Sequence, residues 1–208
     1  MIALIADDHP VVCAAVTMLL RNEGFHDIHE ARTGIEVLPK IRDHKPDLVV
    51  LDLVMPGLDG LDVLGRIQGC GVKCRVLVFT SQEPLFYQDR CMRAGAQAYV
   101  SKTNDLHHLQ KAVGAVMAGY SYFVKLPSSS VSLNTLQRTE TQMIERLSDR
   151  ELTIFQHISR GMSNKAIAAL MNLSHKTVST YKTRLIEKLS VDSAVHLRDF
   201  AKRNNLIE

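Results

Sequence analysis

The first 120 residues alternate strictly between short apolar runs and amphipathic stretches, and this limits the folds open to the chain more than any other feature. The runs are IALIA (2–6), DIHEA (27–31), DLVVL (47–51), RVLVF (75–79) and AYV (98–100). Helical patterns fill the gaps at about 10–22, 34–44, 59–68, 84–94 and 104–118, with Pro39 placed to shorten or kink the second. A strand that returns through a helix lies parallel to its predecessor, because hairpins need direct turns. The expected architecture is α/β: a five-stranded, doubly wound parallel sheet with helices on both faces. Such sheets bind ligands beyond the carboxyl ends of their strands.

The alternation stops at Tyr120. The stretch LPSSSVSLNTLQRTETQ, rich in Ser and Thr, reads as a linker over 121–146 between a first domain, 1–120, and a second, 147–208. The second opens on LSDREL, where Ser148 and Glu151 have the spacing of a capping box. Helical patterns follow at about 149–160, 163–171, 175–189 and 193–204, with Gly161 as a stop after the first, so the second domain is small and all-α. Charge divides along the same line. Residues 1–120 carry 12 Lys and Arg against 14 Asp and Glu, whereas 121–208 carry 13 against 8, which marks the second half for a polyanion.

Hydrophobic residues make up 46% of the chain, enough for a proper core, yet no apolar stretch nears the roughly 20 residues that span a bilayer. Asp7 and Asp8 arrive too early for a signal-peptide core, and Cys13, Cys70, Cys74 and Cys91 lack metal-type pairing. Reduced thiols in a cytoplasmic protein, with no membrane partner, are the expectation.

Asp7 and Asp8 directly follow the first strand and Asp52 follows the third, so three carboxylates converge on one sheet edge. They cannot all stay ionised in a shallow pocket without a cation, and an all-oxygen set suits a hard ion, Mg2+ first. Thr80 ends the fourth strand with a hydroxyl, and Lys102 brings a cation from the fifth. Together these groups specify a carboxylate, Asp52, that attacks a phosphoryl group while Lys102 and the metal neutralise the transferring oxygens. A phosphohydrolase working through an aspartyl phosphate is disfavoured, because its DxDxT motif would need Asp where Val54 stands. The chain is accordingly not expected to be an enzyme.

The segments DDHP, LDLVMPGLDG, VFTS and AGAQAYVSK resemble the signature segments of two-component receiver domains, the flavodoxin-like fold of the CheY type, across residues 1–120. The resemblance implies that Asp52 is the phosphoacceptor, that Asp8 ligates Mg2+ and that Asp7 acts mostly through water. It further implies that the Val54 carbonyl completes the metal site, that Thr80 swings toward the phosphoryl group and that Tyr99 is the coupled aromatic switch. Val54 and Gln82 occupy positions that tune phosphoryl lifetime in that family. One departure is Thr103, which follows Lys102 where many members have Pro, so the cis peptide common there is not expected.

In the second domain, SNKAIAALMNLSHKTVSTYKTRLIEKL reads as helix, tight turn, helix, with Ser163 and Ser174 as caps and Ile167, Leu170 and Met171 on the apolar face of the first. At 100° per residue, Val178, Tyr181, Leu185 and Leu189 fall within about 80° of arc, a core face. Lys176, Thr180, Thr183 and Glu187 point the other way, flanked by Ser179 and Arg184, a polar face suited to base edges in a major groove. LSDREL, GMSNKAIA and LSHKTVSTYKTRLIEKL together resemble the LuxR/FixJ-type helix-turn-helix. The whole chain is thereby identified as a member of the NarL/FixJ response regulators, most similar to the BvgA/EvgA type. That implies a transcription factor switched by phosphorylation at Asp52 from a sensor histidine kinase, hybrid and phosphorelay forms included, that dimerises on phosphorylation and binds double-stranded promoter DNA. Ser179, Thr180 and Thr183 are then expected at bases, with Thr177 beside them and Lys165, Lys176, Lys182 and Arg184 at phosphates. Lys182 projects close to the core face and is expected to snorkel. Tyr181 stands where many members carry His.

Overall fold

The computed structural model describes residues 1–124 and 135–207, without the side chains of 135–139. It divides into two compact units, Met1–Lys125 and Leu126–Glu208.

In the first unit, β1 (Ile2–Ala6), β2 (Asp27–Ala31), β3 (Leu48–Leu51), β4 (Arg75–Thr80) and β5 (Ala98–Ser101) form one sheet in the order β2-β1-β3-β4-β5. Every pairing is parallel. The helices α1 (Pro10–Asn22), α2 (Gly34–His44), α3 (Gly60–Gly69), α4 (Pro84–Arg93) and α5 (Leu106–Met117) make the crossovers. Parity along the strands separates two core layers. Ala3, Ile5, Leu48, Val50, Leu77, Phe79, Ala98 and Val100 pack with Cys13, Val16 and Leu20 of α1 and Leu109, Ala112, Val113 and Val116 of α5. The intervening residues, among them Leu4, Val49, Leu51, Val76, Val78 and Tyr99, are equally buried and belong to the opposite face. Burying each Val or Leu contributes about 1.5–3 kcal/mol, so both helical layers are held by the strands they cover. DIHEA forms the edge strand β2, where its charged residues remain wet. Helix α2 runs on through Pro39 to His44, bounded by Lys45 in the left-handed region (φ 48°).

The order of the sheet reverses beside β1, between β2 and β3, and its register brings the strand ends together. Ala6 pairs with Leu51 and Thr80 with Ser101. The next residues continue the ladder, with Asp52 N–H donating to Ala6 O at 2.8 Å and Lys102 N–H to Thr80 O at 2.7 Å. Asp7, Asp52, Thr80 and Lys102 therefore share one edge through main-chain geometry alone.

The second unit holds α6 (Thr135–Glu145), α7 (Asp149–Ser159), α8 (Asn164–Leu170), α9 (His175–Lys188) and α10 (Ala194–Arg203). Leu152, Phe155, Ile167, Val178, Leu185, Leu189, Leu197 and Phe200 are buried, and the rings of Phe155 and Phe200 meet edge to face at 6.2 Å. Helix α6 corrects the reading of 121–146 as linker throughout. Its end carries Ile144, with Leu147 just beyond, and both are buried. Glu140 accepts hydrogen bonds from Arg203 Nη2 at 2.9 Å and Asn204 Nδ2 at 2.7 Å, which ties α6 to the end of α10. Composition rich in Thr and Gln concealed this apolar spacing. Residues 125–134 of the expected linker lie outside the described residues. No helix among the described residues is long and apolar enough to cross a membrane.

Candidate functional site

At the carboxyl edge of the sheet, Asp7 and Asp52 are almost fully buried, and Lys102 lies between them. Its Nζ is 2.6 Å from Asp52 Oδ2 and 2.7 Å from Asp7 Oδ2. Burial pushes the Asp52 carboxyl above its ordinary range, against the pull of Lys102 and of a hydrogen bond from the Thr80 hydroxyl. For Lys102 burial acts downward, but Asp52 and Asp7 outweigh it and hold the ammonium above its ordinary value. Asp52 Oδ1 accepts the Val54 N–H at 3.1 Å, so Val54 touches the acceptor through its amide.

Asp8 is half-buried. Its Oδ1 is 2.8 Å from His9 Nδ1, outside hydrogen-bond geometry, and has no hydrogen-bond partner. His9 also donates its N–H to Asp7 Oδ1 at 2.9 Å. One ligand atom from each of Asp7, Asp8, His9 and Asp52 can be chosen so that all lie within 4.8 Å of one another. A buried carboxylate oxygen without a hydrogen bond, beside two more carboxylates, fits a hard divalent cation. His9 is the member that sequence reading missed. Its only signal was its place directly after the acid pair.

Glycine permits the close approach that positions Asp52. A Cβ on Gly60 would stand 2.3 Å from Leu53 Cα and 2.8 Å from the Asp52 carbonyl oxygen. The loop after β3 therefore lies flush against the start of α3, where Asp59 caps Leu61 N–H at 2.9 Å. Farther along the edge, Gln82 N–H donates to Thr80 Oγ1 at 3.4 Å, and the buried Tyr99 hydroxyl donates to Gln82 O at 2.8 Å. Burial also raises the Tyr99 phenol, which stays protonated. No peptide bond among the described residues is cis, in keeping with Thr103 after Lys102.

In the helical unit, the turn between α8 and α9 is made by Asn172 in the left-handed region (φ 53°), a conformation Asn tolerates better than most side chains. Ser163 Oγ accepts Ala166 N–H at 3.2 Å and Ser174 Oγ accepts Thr177 N–H at 3.0 Å, capping both helices as expected. Val178, Leu185 and Leu189 are buried and Tyr181 half-buried. Lys165, Lys176, Ser179, Thr180, Thr183 and Arg184 are exposed, and Lys182 is half-buried, as its position near the core face suggested. Thr177 is half-buried, its hydroxyl 2.7 Å from that of Ser174, and so belongs to the cap. The hydroxyls of Thr180 and Thr183 donate back to Lys176 O and Ser179 O, leaving their oxygens outward as acceptors.

Residues 3–114 match the response regulator receiver domain, and residues 145–201 match the luxR family of bacterial regulatory proteins. The chain is a LuxR-type response regulator. Across 203 residues this regulator is 49% identical to the virulence-factor transcription regulator BvgA of Bordetella pertussis, covering 98% of this chain and 97% of that one. The DNA-binding transcriptional activator EvgA of Escherichia coli is 34% identical over 204 residues, 98% of each chain. Among solved structures, the RcsB response regulator of Salmonella typhimurium shares the regulator's fold, with a TM-score of 0.78 at 22% identity over 98% of each chain.

Proposed function

We propose that this regulator is a cytoplasmic transcription factor switched by transfer of a phosphoryl group from a sensor histidine kinase to Asp52. A carboxylate oxygen of Asp52 attacks phosphorus in line, the P–N bond to the donor histidine breaks, and its electron pair stays on the imidazole nitrogen. Lys102, already between Asp52 and Asp7, moves onto the added phosphoryl oxygens, and the Thr80 hydroxyl turns to donate to one of them. Asp8, Asp52 and the Val54 carbonyl would hold Mg2+, with Asp7 reaching it through water. When bound, that ion neutralises charge on the transferring oxygens. The chain is not an enzyme in this reading, because the phosphoryl group stays on the protein as a signal.

As Thr80 moves, Tyr99 repacks and the surface beside it changes shape, which favours pairing of two chains. A dimer reads two half-sites and binds far more tightly than one helix could. Helix α9 lies in the major groove, with Ser179, Thr180 and Thr183 at bases. Lys165, Lys176, Lys182 and Arg184 meet phosphates, and Thr177 contributes by fixing the helix start. The names of BvgA and EvgA support DNA as the target and activation as the outcome.

The observation that carries this reading is the contact of Lys102 with two buried carboxylates beside an Asp8 oxygen that lacks a hydrogen bond. Its test is Asp52→Asn. With acetyl phosphate and Mg2+, the wild type should shift on a phosphate-affinity gel, dimerise and gain DNA affinity, and the variant should do none of these. A variant that responds as the wild type does would refute the switch, leaving a constitutive DNA-binding protein with the receiver as scaffold.

A further inference from the structure

The chain leaving α5 is fastened to the receiver before it continues. Tyr122 forms a parallel bridge with Ala98, in which Tyr122 N–H donates to Gln97 O at 2.9 Å and Tyr99 N–H donates to Tyr122 O at 3.1 Å. Two residues on, a single side chain closes a ring on Val124. Gln88 Nε2 donates to Val124 O at 2.8 Å, and Val124 N–H donates to Gln88 Oε1 at 3.0 Å. A primary amide that both donates to and accepts from one residue's backbone supplies what a neighbouring strand would supply. β5 is the last strand of the sheet, so this fastening lies along its outer edge. Gln88 is buried, whereas Val124 is exposed. A buried side chain that commits its donor and an acceptor to an exposed backbone is an expensive way to fill a core, where an apolar residue of the same size would serve.

The fastening also touches the groups that respond at the acceptor. The Thr80 hydroxyl pulls the Asp52 carboxyl downward and accepts from Gln82 N–H, and Gln82 O accepts from the Tyr99 hydroxyl. The Tyr99 amide holds Tyr122. Helix α4, which carries Gln88, begins two residues after Gln82. A chain of hydrogen bonds thus runs Thr80, Gln82, Tyr99, Tyr122, from the sheet edge that holds Asp52. Movement of Tyr99 would act on Tyr122 through this bridge, and movement of helix α4 would act on Val124 through Gln88.

We propose that Gln88 is a positioning residue, which holds residues 122–124 against the receiver at rest and releases them on phosphorylation. Release of this segment is then the receiver's output to the DNA-binding half. The proposal rests on Asp52 phosphorylation as the input.

The test uses the full chain as wild type, Gln88→Met and Val124→Pro. Met keeps the volume without the amide, and Pro removes the Val124 N–H at an exposed position that the core does not need. Three quantities are read: amide exchange over 120–124, the rate of phosphorylation by acetyl phosphate, and affinity for a duplex selected from a random library by the phosphorylated wild type. In the wild type, phosphorylation should speed exchange at 122–124 by about tenfold. In both variants exchange at 122 and 123 should be fast beforehand, position 124 being read only in Gln88→Met because Pro has no amide hydrogen, and the phosphorylation rate unchanged. The gain in DNA affinity on phosphorylation should shrink about fivefold or more, because the unphosphorylated form already binds. Variants that free the segment yet keep the wild-type gain would overturn the proposal, as would exchange in the wild type that phosphorylation leaves unaltered. Absence of any phosphoryl adduct on the wild type by intact mass would instead overturn the reading beneath it, and the proposal with it.

Discussion

Lys102 stands between two buried carboxylates, and the electrostatics of the site depends on it. Its folded-state pKa is raised, so its contribution to stability is fully present below about 10.4 and is lost as pH climbs through the folded value. Asp52 has the opposite sign. Its raised pKa means that ionised Asp52 opposes folding at neutral pH, and this fades as pH falls toward the ordinary carboxylate range. Lys102→Met should therefore lower stability by about 3–5 kcal/mol at pH 7. The deficit should shrink on acidification and on addition of Mg2+, both measurable by chemical denaturation. Gly60→Ala tests the close approach behind Asp52. The atoms in its way are backbone and cannot swing aside, so it should cost about 1–3 kcal/mol and slow phosphorylation. Asp7, Asp8, Asp52, Thr80 and Lys102 were legible because each directly ends or follows a strand, and a parallel sheet gathers such positions. Gln88 was not legible. Nothing local marks an amide that will meet backbone 36 residues away.

At the scale of elements, the starts of α7, α8 and α9 follow from side-chain caps. The box of Ser148 and Glu151 starts α7, and Lys188 of α9 closes on the same carboxylate at 2.7 Å. Burial alone would raise the Glu151 carboxyl, but Lys188 and the Ser148 cap outweigh it and lower the value. Its stabilisation is then fully present above the ordinary Glu value of about 4.3 and is lost as pH falls through the lowered one. Glu151→Gln should be less stable than the wild type at pH 7, and thermal melts of the two should converge as pH drops below about 4. Leu185 is fully buried on α9, and Leu185→Ala should cost about 2–5 kcal/mol, read as early loss of helical signal. Spacing revealed α7 to α10 in the sequence, and the caps Ser148, Ser163 and Ser174 marked the starts of the first three. Helix α6 was hidden because its polar residues outnumber the few, Ile144 among them, that enter the core.

For the whole molecule, the charge division sets how the chain meets DNA. The second half carries 13 basic and 8 acidic residues, and several of the basic ones are exposed on α8 and α9. Affinity should fall steeply with salt, and Lys176→Ala should flatten the plot of log affinity against log salt by about 0.9 if Lys176 neutralises one phosphate. Filter binding over a salt series reads this directly, and an unchanged slope would place Lys176 off the backbone. At the other end of the chain, the grip of Lys102 on Asp52 has a consequence for information rather than for energy. A carboxylate already in contact with a cation has to give that contact up before it can report a new group. If Asp52 is the acceptor, the resting ion pair sets how much must be given up before the site changes state, for a small phosphodonor and for a protein donor alike.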